Sequence, residues 1–230
     1  MIKLLDSILL SDNVVENFYK NYDDEGFRNW LLSILPEVET CKNLKQDNPW
    51  HVYNCLTHIL HSVEEINKQT KDMDNSIRRM LAYTMFLHDI GKPNCVLRRY
   101  SKLYKREIDS FFNHNIEGEK IAKRVLDKFN FNKTEQKVIE IFIKEHDMFM
   151  FITFENDGNP YHKVLSYKFL KNKILELNNF GNGKKLLKLL VLVGRADNKS
   201  QNPELTEKSL KLLDKMESMI ENMNDNINTF

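Results

Sequence analysis

The sequence predicts an all-α protein, and three observations carry that expectation. Apolar residues recur at helical spacing almost from end to end. Glycine and proline are scarce, at 7 and 5 of 230 residues, which disfavours both a many-turned β-sandwich and a disordered chain. Turn signals cut the chain into helix-sized pieces: Pro36, Asp47 to Pro49, Gly91 with Pro93, Asp157 to Pro160, Gly181 with Gly183, and Pro203.

The expected helices cover 4–10, 13–22, 25–35, 51–67, 75–87, 116–129, 134–146, 163–178, 184–196 and 204–223, each placed by an apolar stripe at 3.6-residue period. The first three are short pieces ahead of Pro36. The long central ones follow the turn at Pro49 and the run after Asp74. Strand signals are weak. The FMFITF run at 149–154, just before Asp157 and Gly158, is the one β-like stretch, so a single small hairpin is expected near 149–162. The Asn- and Asp-rich last residues are expected to fray.

With 41% apolar and 29% charged residues, the chain has ample material for a packed core. Lys+Arg number 34 and Asp+Glu 33, a formal net charge of +1, so no global field holds nucleic acid or an anionic membrane. Cys41, Cys55 and Cys95 are odd in number and lack CxxC spacing, which fits a reducing compartment rather than a disulfide framework. No apolar run approaches the roughly 18–20 residues that span a bilayer, and MIKLLDSILL carries Asp6 with no cleavage site after it. A soluble, cytoplasmic protein is expected.

The histidines are more informative by position than by number. A helix running from His51 at about 100° per residue places Val52, Ile59, Val63 and Ile66 on its apolar side. His51, Asn54, His58 and His61 then share one polar arc, with His58 nearest the apolar stripe. His88 falls with Ile77, Leu81 and Thr84, His146 with Val138, Ile139 and Phe142, and Asp197 with Leu186, Leu190, Val193 and Gly194. Three helices therefore end in an imidazole or carboxylate turned inward, and a buried ionised carboxylate costs several kcal/mol unless compensated. His58, His88, Asp89, His114, His146 and Asp197 together form an N/O set suited to Fe, Mn, Zn, Co or Ni rather than Ca. On the residues alone, a metal site and a set of hydrogen-bonded core groups are evenly balanced.

The motif LHDIGKP at 87–93 resembles the signature of the HD superfamily of metal-dependent phosphohydrolases. Its local match is closest to the HD region of bacterial tRNA nucleotidyltransferases (CCA-adding enzymes) and their relatives. ILPEVETCKNLKQDNPWHVYNCLTHIL at 34–60 is similar to that family's approach to its first metal histidine, which puts the role on His58. FFNHNIEGEKIAKRVL, VIEIFIKEHD and VGRADNKSQ resemble the later blocks and carry ligand roles onto His114, His146 and Asp197. The resemblance spans roughly 25–205. Asn54 stands where an acid is common and Ile59 where Thr often follows the histidine. No nucleotidyltransferase head fits before residue 25, so CCA-adding activity is not implied.

The resemblance implies an HD phosphohydrolase domain over 25–205, with an N-terminal helical extension at 1–24 and a C-terminal helix and tail at 206–230 packed on it. It implies one or two divalent ions (Fe, Mn, Ni, Co or Zn, with Mg as a further alternative) held by His58, His88, Asp89, His114, His146 and Asp197. Asp89 bridges the ions in that scheme, and metal-activated hydroxide attacks phosphorus. Asp89 and Lys92 are the expected catalytic residues, Lys92 meeting a phosphate oxygen. His51, Arg98, Arg99 and Arg195 are candidate substrate contacts, the arginines weighed against ion pairs or a solvated face. The expected substrate is a nucleotide or another phosphomonoester or phosphodiester. The competing readings are a non-catalytic HD module that binds RNA or a nucleotide around a structural metal, and a plain helical interaction protein.

Overall fold

The computed structural model describes residues 1–223. Its helices are α1 (Ile2–Leu9), α2 (Val14–Tyr22), α3 (Glu25–Ile34), α4 (Glu37–Asn43), α5 (Cys55–Gln69), α6 (Asn75–Leu87), α7 (His114–Val125), α8 (Lys133–Glu145), α9 (Tyr167–Leu177), α10 (Gly183–Lys199) and α11 (Pro203–Glu221). Four short strands accompany them: β1 (Leu97–Ser101), β2 (Arg106–Ser110), β3 (Ile152–Thr153) and β4 (Lys163–Val164). The all-α expectation holds. The C-terminal residues expected to fray include 224–230, which lie outside the described residues.

Helix starts follow from capping side chains that satisfy otherwise orphaned amides. Asp24 accepts from the Phe27 amide, Asn54 from Thr57, Ser166 from Phe169 and Asn182 from Lys185. Asn132 and Glu135 form a reciprocal capping box at the head of α8. Asn54 also corrects the sequence reading of the central helix. That helix begins at Cys55, not His51, so His51 belongs to the preceding loop and does not share a helical face with His58. Pro36 likewise opens a short helix, α4, that the periodicity did not reveal.

α5 lies at the centre, packed by α2, α4, α6 and α10; α6 rests on α8, α8 on α7, and α10 on α9 and α11. One continuous apolar core runs through them, and Leu5 of α1, Phe18 of α2 and Leu213 of α11 belong to it. Phe18 anchors an aromatic group, its ring centroid 5.9 Å from Phe86 and 6.3 Å from Phe27. Gly194 lets α10 close onto the ring of Phe149: a β-carbon there would stand 2.3 Å from the ring.

The small hairpin is present but elsewhere in the chain. β1 and β2 pair antiparallel, from Leu97 opposite Ser110 to Ser101 opposite Arg106. This is the segment whose run of arginines and lysines masked any apolar alternation. The 149–162 region makes no hairpin. Met148–Phe151 is a 3₁₀ turn, and β3 pairs with β4 in parallel. Asn156, Asp157 and Asn159 each accept from an amide two residues on, coiling the loop instead of reversing it in two residues.

Candidate metal centre

Five helices and one turn deliver six ligand-type side chains to a single buried point. His58 comes from the first turn of α5, Asp197 from the last turn of α10, and His114 is the first residue of α7. His88 and His146 occupy the positions just after α6 and α8, and Asp89 follows His88. Asp89 sits in the middle. Its Oδ2 lies 3.1 Å from His58 Nε2 and 3.3 Å from His88 Nε2. Its Oδ1 lies 3.2 Å from His114 Nε2 and 3.6 Å from His146 Nε2. Asp197 Oδ1 closes the first group, at 3.1 Å from His58 and 3.5 Å from His88. Two groups that could hold a metal ion result, His58–His88–Asp89–Asp197 and Asp89–His114–His146, sharing one carboxylate.

Backbone carbonyls set the tautomers of the four imidazoles at the centre. His88 Nδ1–H donates to the Met85 carbonyl at 2.6 Å and His146 Nδ1–H to Ile143 at 2.6 Å. Both carbonyls are among those a helix end leaves without an internal donor. His114 Nδ1–H donates to Phe111 at 2.7 Å. His58 Nδ1 faces the Ser200 carbonyl at 3.3 Å and the Ser200 hydroxyl at 3.2 Å, whose own hydrogen goes to the Asp197 carbonyl at 2.7 Å. With Nδ1 carrying the hydrogen, each neutral ring turns a bare Nε2 lone pair to the centre.

That arrangement is costly unless positive charge, a proton or a metal ion, lies among the atoms. His114 Nε2 and His146 Nε2 face each other at 3.2 Å. Carboxylate oxygens stand near His58 Nε2 and His88 Nε2, yet neither buried nitrogen has a hydrogen-bond partner. Separations of 3.1–3.6 Å are those of neighbouring ligand atoms on one ion, because bond lengths of about 2.1 Å place such atoms about 3.0–3.4 Å apart. The donor set and the orphaned nitrogens therefore fit a bound metal ion.

The carboxylates call for positive charge at the centre, which protons on the imidazoles supply when no metal ion does. Burial alone would raise Asp89, but the Lys92 ammonium and His88 hold its carboxyl well below the usual range. Burial is likewise overcome at Asp197, by His58 and His88. For the imidazoles burial works against charge, yet the carboxylates win: they push His88 up to about 9 and raise His58 and His146.

Lys92 is buried, at 4% exposure, and not the solvated helix-end lysine that its spacing also allowed. Burial opposes its charge and Asp89 offsets that, raising its pKa. Its Nζ donates to Asp89 Oδ2 at 2.5 Å, Gln46 Oε1 at 2.8 Å and His51 Nε2 at 2.9 Å. An ammonium has three N–H groups, and here each has an acceptor. His51 donates from Nδ1 to Asn48 Oδ1 at 2.8 Å, and burial followed by the Lys92 charge keeps its pKa well below the usual value.

The candidate arginines divide. Arg195 turns from the cluster to Asp214 and Glu217 of α11, at 3.0 and 2.7 Å, because it lies two residues from Asp197 on the helix. It ties α10 to α11. Arg98 braces the hairpin against Asp47 and Asp109 at 2.7 and 3.0 Å, so its guanidinium is engaged as well. Arg99 lies over the ring of Phe112 at 5.0 Å, with Phe112 60% exposed. Sequence reasoning missed Gln46 and Ser200. A buried glutamine in a loop has no periodic signal, whereas Ser200 at three residues beyond Asp197 was open to helical-wheel reasoning.

No family model and no curated protein matches the chain. No described helix is long and apolar enough to cross a membrane.

Proposed function

We propose that the chain is a metal-dependent phosphohydrolase of the HD type. The single observation that carries the reading is the shared carboxylate: Asp89 serves two ligand groups at once, with the Lys92 ammonium on its Oδ2. His58, His88, Asp89 and Asp197 would hold one divalent ion, and Asp89, His114 and His146 a second. Imidazole with carboxylate favours Fe, Mn, Co, Ni or Zn, with Mg as the harder alternative. When bound, such ions supply Lewis acidity toward a phosphoryl oxygen and a water activated near neutral pH.

The chain's own residues do the rest. The Nδ1–carbonyl hydrogen bonds keep the four imidazoles pointed inward without further reorganisation. Lys92 brings a positive charge beside Asp89, which offsets the negative charge of an arriving phosphate ester. A nucleotide or a related phosphomonoester or phosphodiester is the substrate class proposed.

The test is metal content of protein purified without a His tag, coupled to hydrolysis of a panel of phosphomonoesters and phosphodiesters with added Mn²⁺, Ni²⁺, Co²⁺ or Fe²⁺. Bound metal with turnover that Asp89→Ala abolishes supports the reading. Bound metal without turnover on any panel member favours a binding module with a structural ion, and a chain that takes up no metal overturns the site assignment.

A further inference from the structure

We propose that Gln46 is a positioning residue that holds the Lys92 ammonium and, through it, fixes which way the shared Asp89 carboxylate faces. The inference rests on Asp89 being a metal ligand.

Gln46 is buried at 1% exposure and has φ of +54°, a left-handed conformation that is strained for a non-glycine residue. Such a conformation persists where neighbours over-determine it, and here the 44–54 loop is pinned along its length. The Cys55 amide donates to the Leu44 carbonyl at 2.9 Å. Asp47 exchanges hydrogen bonds with Asp109 of β2, amide to carboxylate and carbonyl to amide, each at 2.8 Å. Asn202, between α10 and α11, donates to the carbonyls of Trp50 and Pro49 at 2.9 and 3.0 Å.

The loop so held aims one amide. Gln46 Nε2 donates to the Tyr53 carbonyl at 3.2 Å, which leaves Oε1 facing Lys92 Nζ at 2.8 Å. Lysine reaches its partners on a flexible four-carbon stem and cannot orient itself. Gln46 Oε1 and His51 Nε2 fix its ammonium on two sides and the Phe111 ring covers it, 5.3 Å from Nζ. The third N–H is thereby committed to Asp89 Oδ2, the oxygen that faces His58 and His88, and Oδ1 is left for His114 and His146. Without that anchor the carboxylate is free to rotate and the division between the two groups is lost.

The test compares the full-length wild-type chain with Gln46→Met, which keeps length and removes the acceptor, and Gln46→Glu, which keeps an acceptor oxygen. One readout needs no metal: the rate at which acetic anhydride labels Lys92 in the folded chain, followed by mass spectrometry against exposed Lys102. The other is the affinity and visible absorption spectrum of bound Co²⁺ alone. Gln46→Met is expected to raise Lys92 labelling several-fold, weaken Co²⁺ binding roughly 10–100-fold and alter its spectrum, as loss of a residue supporting a ligand does. Gln46→Glu is expected to restore both. Wild-type labelling and an unchanged spectrum in Gln46→Met overturn the inference. Should Gln46→Met fail to fold by circular dichroism, Gln46→Glu decides: wild-type protection supports the role and lost protection overturns it. A wild-type chain that takes up no Co²⁺ removes the metal reading, and Lys92 labelling alone then shows whether Gln46 holds the ammonium.

Discussion

A β-carbon on Gly91 would stand 2.3 Å from the carbonyl oxygen of His114 and 2.6 Å from the amide nitrogen of Gly118. Both obstacles are backbone, so neither can swing aside. The turn that carries His88 and Asp89 is thus pressed directly against the first turn of α7, and this contact brings His114 to Asp89. Gly91→Ala is expected to displace α7, lower stability by about 1–3 kcal/mol and impair the Asp89–His114–His146 group first. Thermal melts and metal titration check both parts.

The shared carboxylate makes a prediction about stoichiometry. His146→Ala is expected to remove one ion and leave the other, whereas Asp89→Ala loses both. Equilibrium dialysis with elemental analysis distinguishes them, and an Asp89→Ala chain that keeps two ions would sink the bridging role.

Asp89→Ala also strands a buried ammonium. Removing one partner of a buried pair costs about 3–5 kcal/mol, because the remaining charge is uncompensated. Asp89→Ala with Lys92→Met is expected to melt at a higher temperature than Asp89→Ala alone. A double-mutant cycle in the absence of metal measures the coupling.

Cation binding is expected to stabilise the fold. An ion at about 100 times its dissociation constant adds about 2.7 kcal/mol by mass action. For a chain of this size that corresponds to a rise in Tm of roughly 5–10 °C, reversed by a chelator. A melt indifferent to Mn²⁺, Co²⁺ and Ni²⁺ would count against the site.

Arg98→Ala should leave the global melt nearly unchanged, since solvent screens exposed ion pairs. Hydrogen exchange at 97–110 is where the loss should register, because Arg98 ties β1 to Asp47 and Asp109. Unchanged protection there would mean that the backbone pairing of Asp47 with Asp109 suffices.

Much of the fold and most of the centre were legible in the sequence, for a physical reason. A polar residue that ends an apolar stripe at helical phase has to point inward, and this placed His88, His146 and Asp197 among buried groups. The same method misplaced His51, because it began the helix there, ahead of Asn54, whose capping side chain starts the helix four residues later. β1 and β2 escaped because an exposed charged hairpin has no apolar alternation to read. Gln46 escaped because its importance lies in a loop conformation that only the contacts of Asp109 and Asn202 impose.

His58 and Asp197 touch across 139 positions of sequence, and α10 reaches the cluster by packing on α5 and α6. Contacts of such separation carry a large loop-closure entropy and form only after the intervening helices have docked. A nascent or truncated chain lacking α10 holds His58, His88 and Asp89 without the carboxylate that completes their group. On the proposed reading, tight cation capture would be confined to molecules that have finished folding, and the appearance of metal affinity during refolding should track the docking of α10 rather than the formation of the earlier helices.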